Sequence, residues 1–176
     1  MCSSDLLLHA TAHPDDEHRV AAILREEGFV RVAIGSEVAD IAELLPRAQT
    51  AAVDATLGTA VLGLLETIAR SMPGARVSAA TSAGNVVPVS VYRPKDSLLS
   101  GPALGCAAAR AALDAAGIAR AITFDMGGTS TDVARVVDGR IALRGGSVVA
   151  GISVASPSVD VHSVAAGGGS VCRATR

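Results

Sequence analysis

The sequence predicts an α/β fold built on a mixed sheet, and three observations carry that prediction. Apolar runs of strand length alternate with longer stretches whose apolar residues recur at helical spacing. Gly28 and Gly117 stand where two of the helical stretches end, as helix-terminating glycines do. Asp138-Gly139 separates two strand-like runs, which marks an antiparallel hairpin inside a sheet otherwise fed by helices.

Leu6 to His9 reads as the tail of a strand. Pro14 opens a helix whose first turn carries Asp15, Asp16 and Glu17, acids that favour the positive end of the helix dipole. Val20, Ile23 and Leu24 form its apolar stripe, and Val30 to Ile34 reads as the next strand. Ile41 to Arg70 is helical in character, with Pro46 and Gly58 expected to break or kink it. Pro73-Gly74 is a turn. Arg76 to Thr81 and Val86 to Val91 read as strands flanking the polar turn Ser82-Ala83-Gly84-Asn85. Ser100-Gly101-Pro102 starts an alanine-rich helix that runs to Ala116, where Gly105 permits close packing on a neighbour. Strands are expected at Ala121 to Phe124, Val133 to Val137 and Arg140 to Leu143. Ser158 to Val164 is apolar except at Asp160 and His162, and a glycine loop follows from Ala166 to Ser170. Residues 1–75 therefore make a mainly helical part and residues 76–176 an α/β part.

Composition narrows the function classes. The chain has 176 residues, 49% hydrophobic and 18% charged, which fits a globular protein rather than a disordered one. Two Phe, one Tyr and no Trp leave no aromatic platform for stacking bases, and a net charge of −2 does not suit a nucleic-acid backbone. Nucleic acid is therefore not an expected partner. No uninterrupted apolar run approaches ~18 residues, so no membrane span is expected. Cys2, Cys106 and Cys172 are far apart and odd in number, which suits reduced thiols in the cytoplasm rather than a disulfide framework. Cys106, on the alanine-rich helix, reads as a small core residue.

The chemistry concentrates in Phe124-Asp125-Met126-Gly127-Gly128-Thr129-Ser130-Thr131-Asp132-Val133. This is an acid, a Gly-Gly pair, three hydroxyls and a second acid, lying between two strands. The glycines let backbone amides approach a ligand without Cβ obstruction. Amides and hydroxyls converging on one concavity suit phosphate oxygens. Gly127, Gly128, Thr129, Ser130 and Thr131 are the candidate phosphate ligands. Asp125 is the candidate for holding a metal-bound or catalytic water, and Asp132 either shares that role or pins the hairpin. Asp160 and His162, at i and i+2, would share one face of a strand. They are two ligands of a divalent metal, a carboxylate and a general base acting on substrate, or a polar strand end. Gly167, Gly168 and Gly169 either admit nucleotide to the backbone or form a plain turn.

These segments resemble the hydantoinase/oxoprolinase family, which includes ATP-dependent 5-oxoprolinases, N-methylhydantoinase A subunits and acetone carboxylase subunits. The FDMGGTSTDV at 124–133 is identical to the family's commonest form, and Asp160-Val161-His162 with Ala166 to Ser170 resembles its "DIHTVGAGGGS". Leu7 to Glu27 resembles "LHSY.NP.HE", Ser36-Glu37-Val38 "SSEV", Ser82 to Val87 "SNGGVV", and Arg93 to Gly105 "RP…SGPAAG". The resemblance implies an actin-like, ribonuclease-H-like ATPase lobe with flanking helices, and ATP with Mg²⁺ or another divalent metal as cofactors. It implies ATP-dependent hydrolysis of a cyclic amide such as 5-oxoproline or a hydantoin. Family members carry a second acid-Gly-Gly-Thr hairpin, which does not occur before residue 124 here. The chain thus resembles the central part of a hydantoinase A domain, truncated at both ends. Its expected partners are the missing lobe or a hydantoinase B-type subunit. Two alternatives stand beside the enzyme reading: a non-catalytic remnant, and another actin-like phosphotransferase lobe. An unpaired strand edge at Leu6 to His9 would also favour self-association.

Overall fold

The computed structural model describes residues 2–173. Strand β1 (Cys2–Asp5) pairs in parallel with β2 (Arg31–Ile34), and helix α1 (Pro14–Glu26) is the crossover that a parallel pair requires. Gly28, at φ +92, takes the left-handed turn after α1. A single turn, α2 (Gly35–Val38), leads to α3 (Leu44–Ser71). Next come an antiparallel pair, β3 (Ser78–Ala80) and β4 (Val86–Pro88), and the 16-residue α4 (Ser100–Ala115).

The main sheet follows. β5 (Arg120–Met126) and β6 (Thr131–Val137) form a hairpin, and Asp138-Gly139, both at positive φ, turns the chain into β7 (Arg140–Ile141). β8 (Leu143–Arg144), β9 (Ser147–Val149), β10 (Ile152–Val154) and β11 (Ser158–Val159) make small antiparallel pairs, β9 with β10 and β8 with β11. β12 (Val161–Val164) then returns to β6, giving the order β12-β6-β5 with β7 also on β6.

Three expectations need correcting. The first strand ends at Asp5 and Leu6–His9 is not its tail, because the backbone of Leu7 is captured by side chains. Its N–H donates to Glu17 Oε1 at 2.8 Å, and its carbonyl accepts from Arg47 Nη2. Helix α3 runs unbroken through Pro46 and Gly58. Pro46 lies in the first turn, where its missing N–H has no intrahelical acceptor to lose. Gly58 is tolerated within the helix, and an added Cβ would make only ordinary contacts, 3.6 Å from Arg31 Cδ and 3.9 Å from Pro94 Cγ. The strand expected through Val91 stops at Pro88, where a 3₁₀ turn over Val89–Val91 begins.

Helix α3, 28 residues long, is also long and apolar enough to cross a bilayer by length and composition, contrary to the expectation that no segment is. Two of its charged residues, Arg47 and Asp54, are buried against protein groups instead. Arg47 reaches Leu7, and Asp54 Oδ1 accepts the Lys95 N–H at 3.0 Å. α3 packs on β1, β2, α2 and β10, and its buried residues lie between Arg47 and Gly58.

The apolar core is made of small side chains, among them Ala21, Ala51, Ala103, Ala134, Val136 and Val154. Small residues let elements approach closely but each removes little apolar area from water. A polar brace supplements them. Glu17 is fully buried and accepts N–H groups from Leu7 and, at 2.7 Å, from Ser36. Asp5 accepts the Gly35 N–H at 3.2 Å. Burial pushes the Glu17 pKa up, but the Leu7 and Ser36 N–H groups, the Ser36 hydroxyl and the Arg47 charge outweigh it and hold the carboxyl below 4.5. For Asp5 burial prevails, and its pKa is raised above 3.8 despite the Gly35 N–H.

The two acids have opposite linkage. Glu17, depressed in the folded state, contributes stability that is present above pH 4.5 and lost as pH falls through its folded pKa. Asp5, raised, contributes stability when protonated and loses it as pH rises through its folded value. Glu17→Gln is expected to cost about 2–3 kcal/mol in urea unfolding at neutral pH, since it leaves an N–H donor facing an amide NH₂. The same variant should show a shallower loss of stability below pH 4.5 than the wild type.

Candidate phosphate-binding site

β5 and β6 stay in register to their ends, so Asp125 lies opposite Asp132 and Met126 opposite Thr131. Residues 127–130 close the hairpin, with the Gly127 N–H donating to the Ser130 carbonyl at 2.9 Å. The pairing of β12 with β6 brings the second glycine loop onto this turn. The N–H groups of Gly168 and Gly169 donate to the carbonyls of Gly127 and Gly128, both at 2.9 Å. Thr131 Oγ1 donates to the Ala166 carbonyl at 2.6 Å, and Ser170 Oγ accepts the Gly167 N–H at 3.0 Å. The fit admits no side chain. A Cβ on Gly167 would lie 2.6 Å from the Gly127 oxygen and 2.7 Å from the Gly128 carbonyl carbon.

This contact decides where the first loop's donors point. In a trans peptide the N–H is opposed to the C=O. With the carbonyls of Gly127 and Gly128 turned to the second loop, the N–H groups of Gly128 and Thr129 turn away from it. They find no acceptor among the described residues. Thr129 is exposed and Ser130 half-exposed, so their hydroxyls stand at the same surface. Two aimed amides and two hydroxyls make an anion cradle.

The same geometry bears on Gly167, Gly168 and Gly169, which the sequence leaves as either an opening for nucleotide or a plain turn. All three of their N–H groups are already engaged, and the loop's part is to orient its neighbour. Thr131 is likewise a buried tie to Ala166 rather than a free phosphate ligand.

The two acids lie on the sheet face that carries Thr123 and Ala134, towards α4. They line a cavity of about 240 Å³ with Pro102, Gly105, Cys106 and Thr123. Gly105 makes room for Asp125: a Cβ there would lie 3.2 Å from Asp125 Oδ2. Ser163, opposite Asp132 on β12, donates its hydroxyl to Asp132 Oδ1. Neither acid has a cationic side chain within salt-bridge distance among the described residues. Two directly opposed carboxylates repel one another. A divalent cation between or beside them would relieve that repulsion, so these residues fit Mg²⁺ or its waters.

Cys106 is 5% exposed. Burial pushes its thiol pKa up, a Thr123 hydrogen bond opposes this, and the charges of Asp132 and Asp125 push it further up. The thiol is protonated and inert, as a core residue should be.

Asp160 and His162 do not form the expected metal pair. Asp160 lies between β11 and β12, outside both strands, so the shared-face premise fails. Its carboxylate is paired with Arg144 Nη2 and its N–H with the Ala142 carbonyl. His162 is exposed, opposite Val133 on the sheet face that points away from α4. Among the described residues no three His, Cys, Asp or Glu side chains cluster as a metal site. Ser163 and the docking of the two loops escape sequence reasoning, because only strand pairing across about thirty residues brings them together.

The sequence profile of the hydantoinase/oxoprolinase family matches residues 47–176. The chain belongs to the hydantoinase/oxoprolinase family. It is 39% identical over 168 residues to the 5-oxoprolinase of Saccharomyces cerevisiae, which covers 93% of the chain and 13% of that protein. To 5-oxoprolinase 1 of Arabidopsis thaliana it is 33% identical, over 96% of the chain and 14% of that protein. The chain therefore spans about an eighth of the length of these curated relatives. Among solved structures, the ATP-dependent caprolactamase from Pseudomonas jessenii superposes with a TM-score of 0.80 at 27% identity, over 97% of this chain and 26% of that one. A nucleotide-free acetone carboxylase superposes with a TM-score of 0.77 at 20% identity, over 93% of this chain and 24% of that one, which shows the fold alone. This hydantoinase/oxoprolinase chain thus has the mixed α/β, actin-like ATPase fold that its motifs imply.

Gly167→Ala must push the two loops apart, since its Cβ would meet backbone rather than a flexible side-chain end. We expect a loss of about 1–3 kcal/mol by chemical denaturation. Shifted amide resonances for Gly127, Gly128 and Thr129 should accompany it.

Proposed function

We propose that this chain forms the phosphate-gripping lobe of an ATP-dependent enzyme that hydrolyses a cyclic amide of the 5-oxoproline or hydantoin kind. The observation that carries the reading is the pair of outward-aimed amides at Gly128 and Thr129 on a hairpin whose strand ends bear two opposed acids with no cationic partner among the described residues. That combination accepts a polyphosphate and its divalent cation together. The names of the relatives, 5-oxoprolinases and an ATP-dependent caprolactamase, support the choice of a cyclic amide.

The assigned roles follow from position. Gly128 and Thr129 donate backbone N–H groups to the terminal phosphate oxygens, and the Thr129 and Ser130 hydroxyls add to them. Asp125, at the strand end, would hold Mg²⁺ or its waters, and Asp132, oriented by Ser163, stands opposite it. ATP would supply the chemistry a lactam lacks: transfer of its terminal phosphoryl group to the amide oxygen would release ADP, and water attacking the activated ring carbon would then open the C–N bond and release phosphate. The lobe's contribution is placement and charge, which dominate phosphoryl transfer.

One acid-Gly-Gly-Thr hairpin lines one wall of a cleft. The cradle here is open to solvent, and excluding water needs a second wall. We therefore assign turnover to this chain together with a partner lobe carrying the other hairpin, in the same polypeptide or a hydantoinase B-type assembly. By itself the chain binds nucleotide without turning over. Its free thiols, Cys2, Cys106 and Cys172, support a reducing, cytoplasmic setting.

Isothermal titration calorimetry with Mg·ATP tests the reading. Micromolar binding is expected for the wild type. Thr129→Ala should weaken it about tenfold, the value of one hydrogen bond to a charged group. Asp125→Ala should abolish the dependence on Mg²⁺. A folded wild-type chain with no heat of binding would remove the ATPase reading.

A further inference from the structure

A second cavity lies between the end of α1, β2, α3 and the segment before α4, and shares no lining residue with the one at Asp125. It encloses about 240 Å³ and draws Arg25 from α1, Arg31 from β2 and Arg93 from the segment before α4, with Asp54 as the one carboxylate of its lining. We propose that this cavity is a binding site for a small oxyanion, an inorganic phosphate or a short dicarboxylate, held by the free donors of the guanidinium forks.

Donor accounting supports it. Arg31 Nη2 donates to Glu66 at 2.9 Å and Arg93 Nη2 to Glu37 at 3.2 Å, each a single-point contact that leaves the rest of the guanidinium fork free. Arg25 has no carboxylate within salt-bridge distance among the described residues. Asp54 is the one carboxylate in the lining, and one of its oxygens is already bound to the Lys95 N–H; Glu66 and Glu37 offset Arg31 and Arg93 from outside the lining, so Arg25 is the uncompensated cation and the other two offer free N–H donors rather than net charge. The backbone adds to the field. β2 pairs only with β1 among the described residues, so its other edge is open, and Val32 and Ala33 line the cavity along this strand. Planar guanidinium forks beside an open strand edge match the bidentate geometry of carboxylate and phosphate oxygens.

Size limits the ligand. Pockets for drug-sized molecules start near 300 Å³, so this cavity holds an anion of phosphate or malonate size with a few waters, not a nucleotide. Gly58 keeps its floor open, because a side chain there would contact Arg31 and Pro94.

The test is a titration of the ¹⁵N-labelled full chain with inorganic phosphate and, separately, with malonate, followed by amide shifts. The site predicts shifts at Val32, Ala33 and Arg93 with a Kd of about 1 mM or tighter for at least one anion. Whichever anion acts identifies the ligand class. The exposed Arg25→Met combined with Arg31→Met should weaken binding at least tenfold, roughly one charge-assisted contact or more, while Thr129→Ala leaves it unchanged. Lysine at both positions, retaining charge without the fork, should fall in between. No shifts at these amides with either anion, or shifts indifferent to the double methionine variant, overturns the proposal. Failure at Gly128 and Thr129 instead would count against the nucleotide reading and leave this site standing.

Discussion

The architecture of the site depends on two peptide carbonyls. Gly127 and Gly128 present their oxygens to the N–H groups of Gly168 and Gly169, and the opposed N–H groups face out as a consequence. A flexible Gly-Gly turn would otherwise sample many orientations, at a large entropic cost to any ligand that had to select one. Here the second loop fixes the orientation in advance. Gly167 is the steric condition for the contact, since any Cβ would collide with the first loop's backbone. The glycines of the two loops thus have two different jobs: the Gly127–Gly128 pair turns its outer N–H groups to the surface, and the other loop holds it in that orientation with its own donors.

The rest of the chain supports this arrangement with modest means. A core of alanines and valines brings elements close but contributes little area per residue. Buried polar groups supply definition where apolar bulk is missing. Glu17 and Arg47 grip the backbone of Leu7 from opposite sides, so β1, α1, α2 and α3 are tied at one place. Breaking one member of such a brace leaves the other uncompensated, which makes it a specifying device as much as a stabilising one. On the other side of the fold Gly105 lets α4 approach the sheet with space for the Asp125 carboxylate.

Much of this was legible in the chain. The acid-Gly-Gly-hydroxyl segment announces a glycine-rich hairpin, Asp138-Gly139 announces the turn that follows it, and Gly105 announces a close approach. What escaped detection depends on partners distant in sequence. Leu6–His9 has the composition of a strand, yet side chains of Glu17 and Arg47 claim its backbone. Asp160 and His162 have ligand-like spacing, yet Arg144 takes the carboxylate. Glycines 167–169 have the composition of a ligand loop, yet their amides serve the neighbouring turn. Local pattern identifies which residues are unusual, and tertiary pairing assigns what each one does.

Amide hydrogen exchange on the ligand-free chain tests the central claim most directly, because it reads each N–H separately. Gly168 and Gly169 should be protected, while Gly128 and Thr129 exchange freely and become protected only when Mg·ATP is added. Rapid exchange at Gly168 and Gly169, or protection of Gly128 and Thr129 without nucleotide, would show that the second loop does not aim the first.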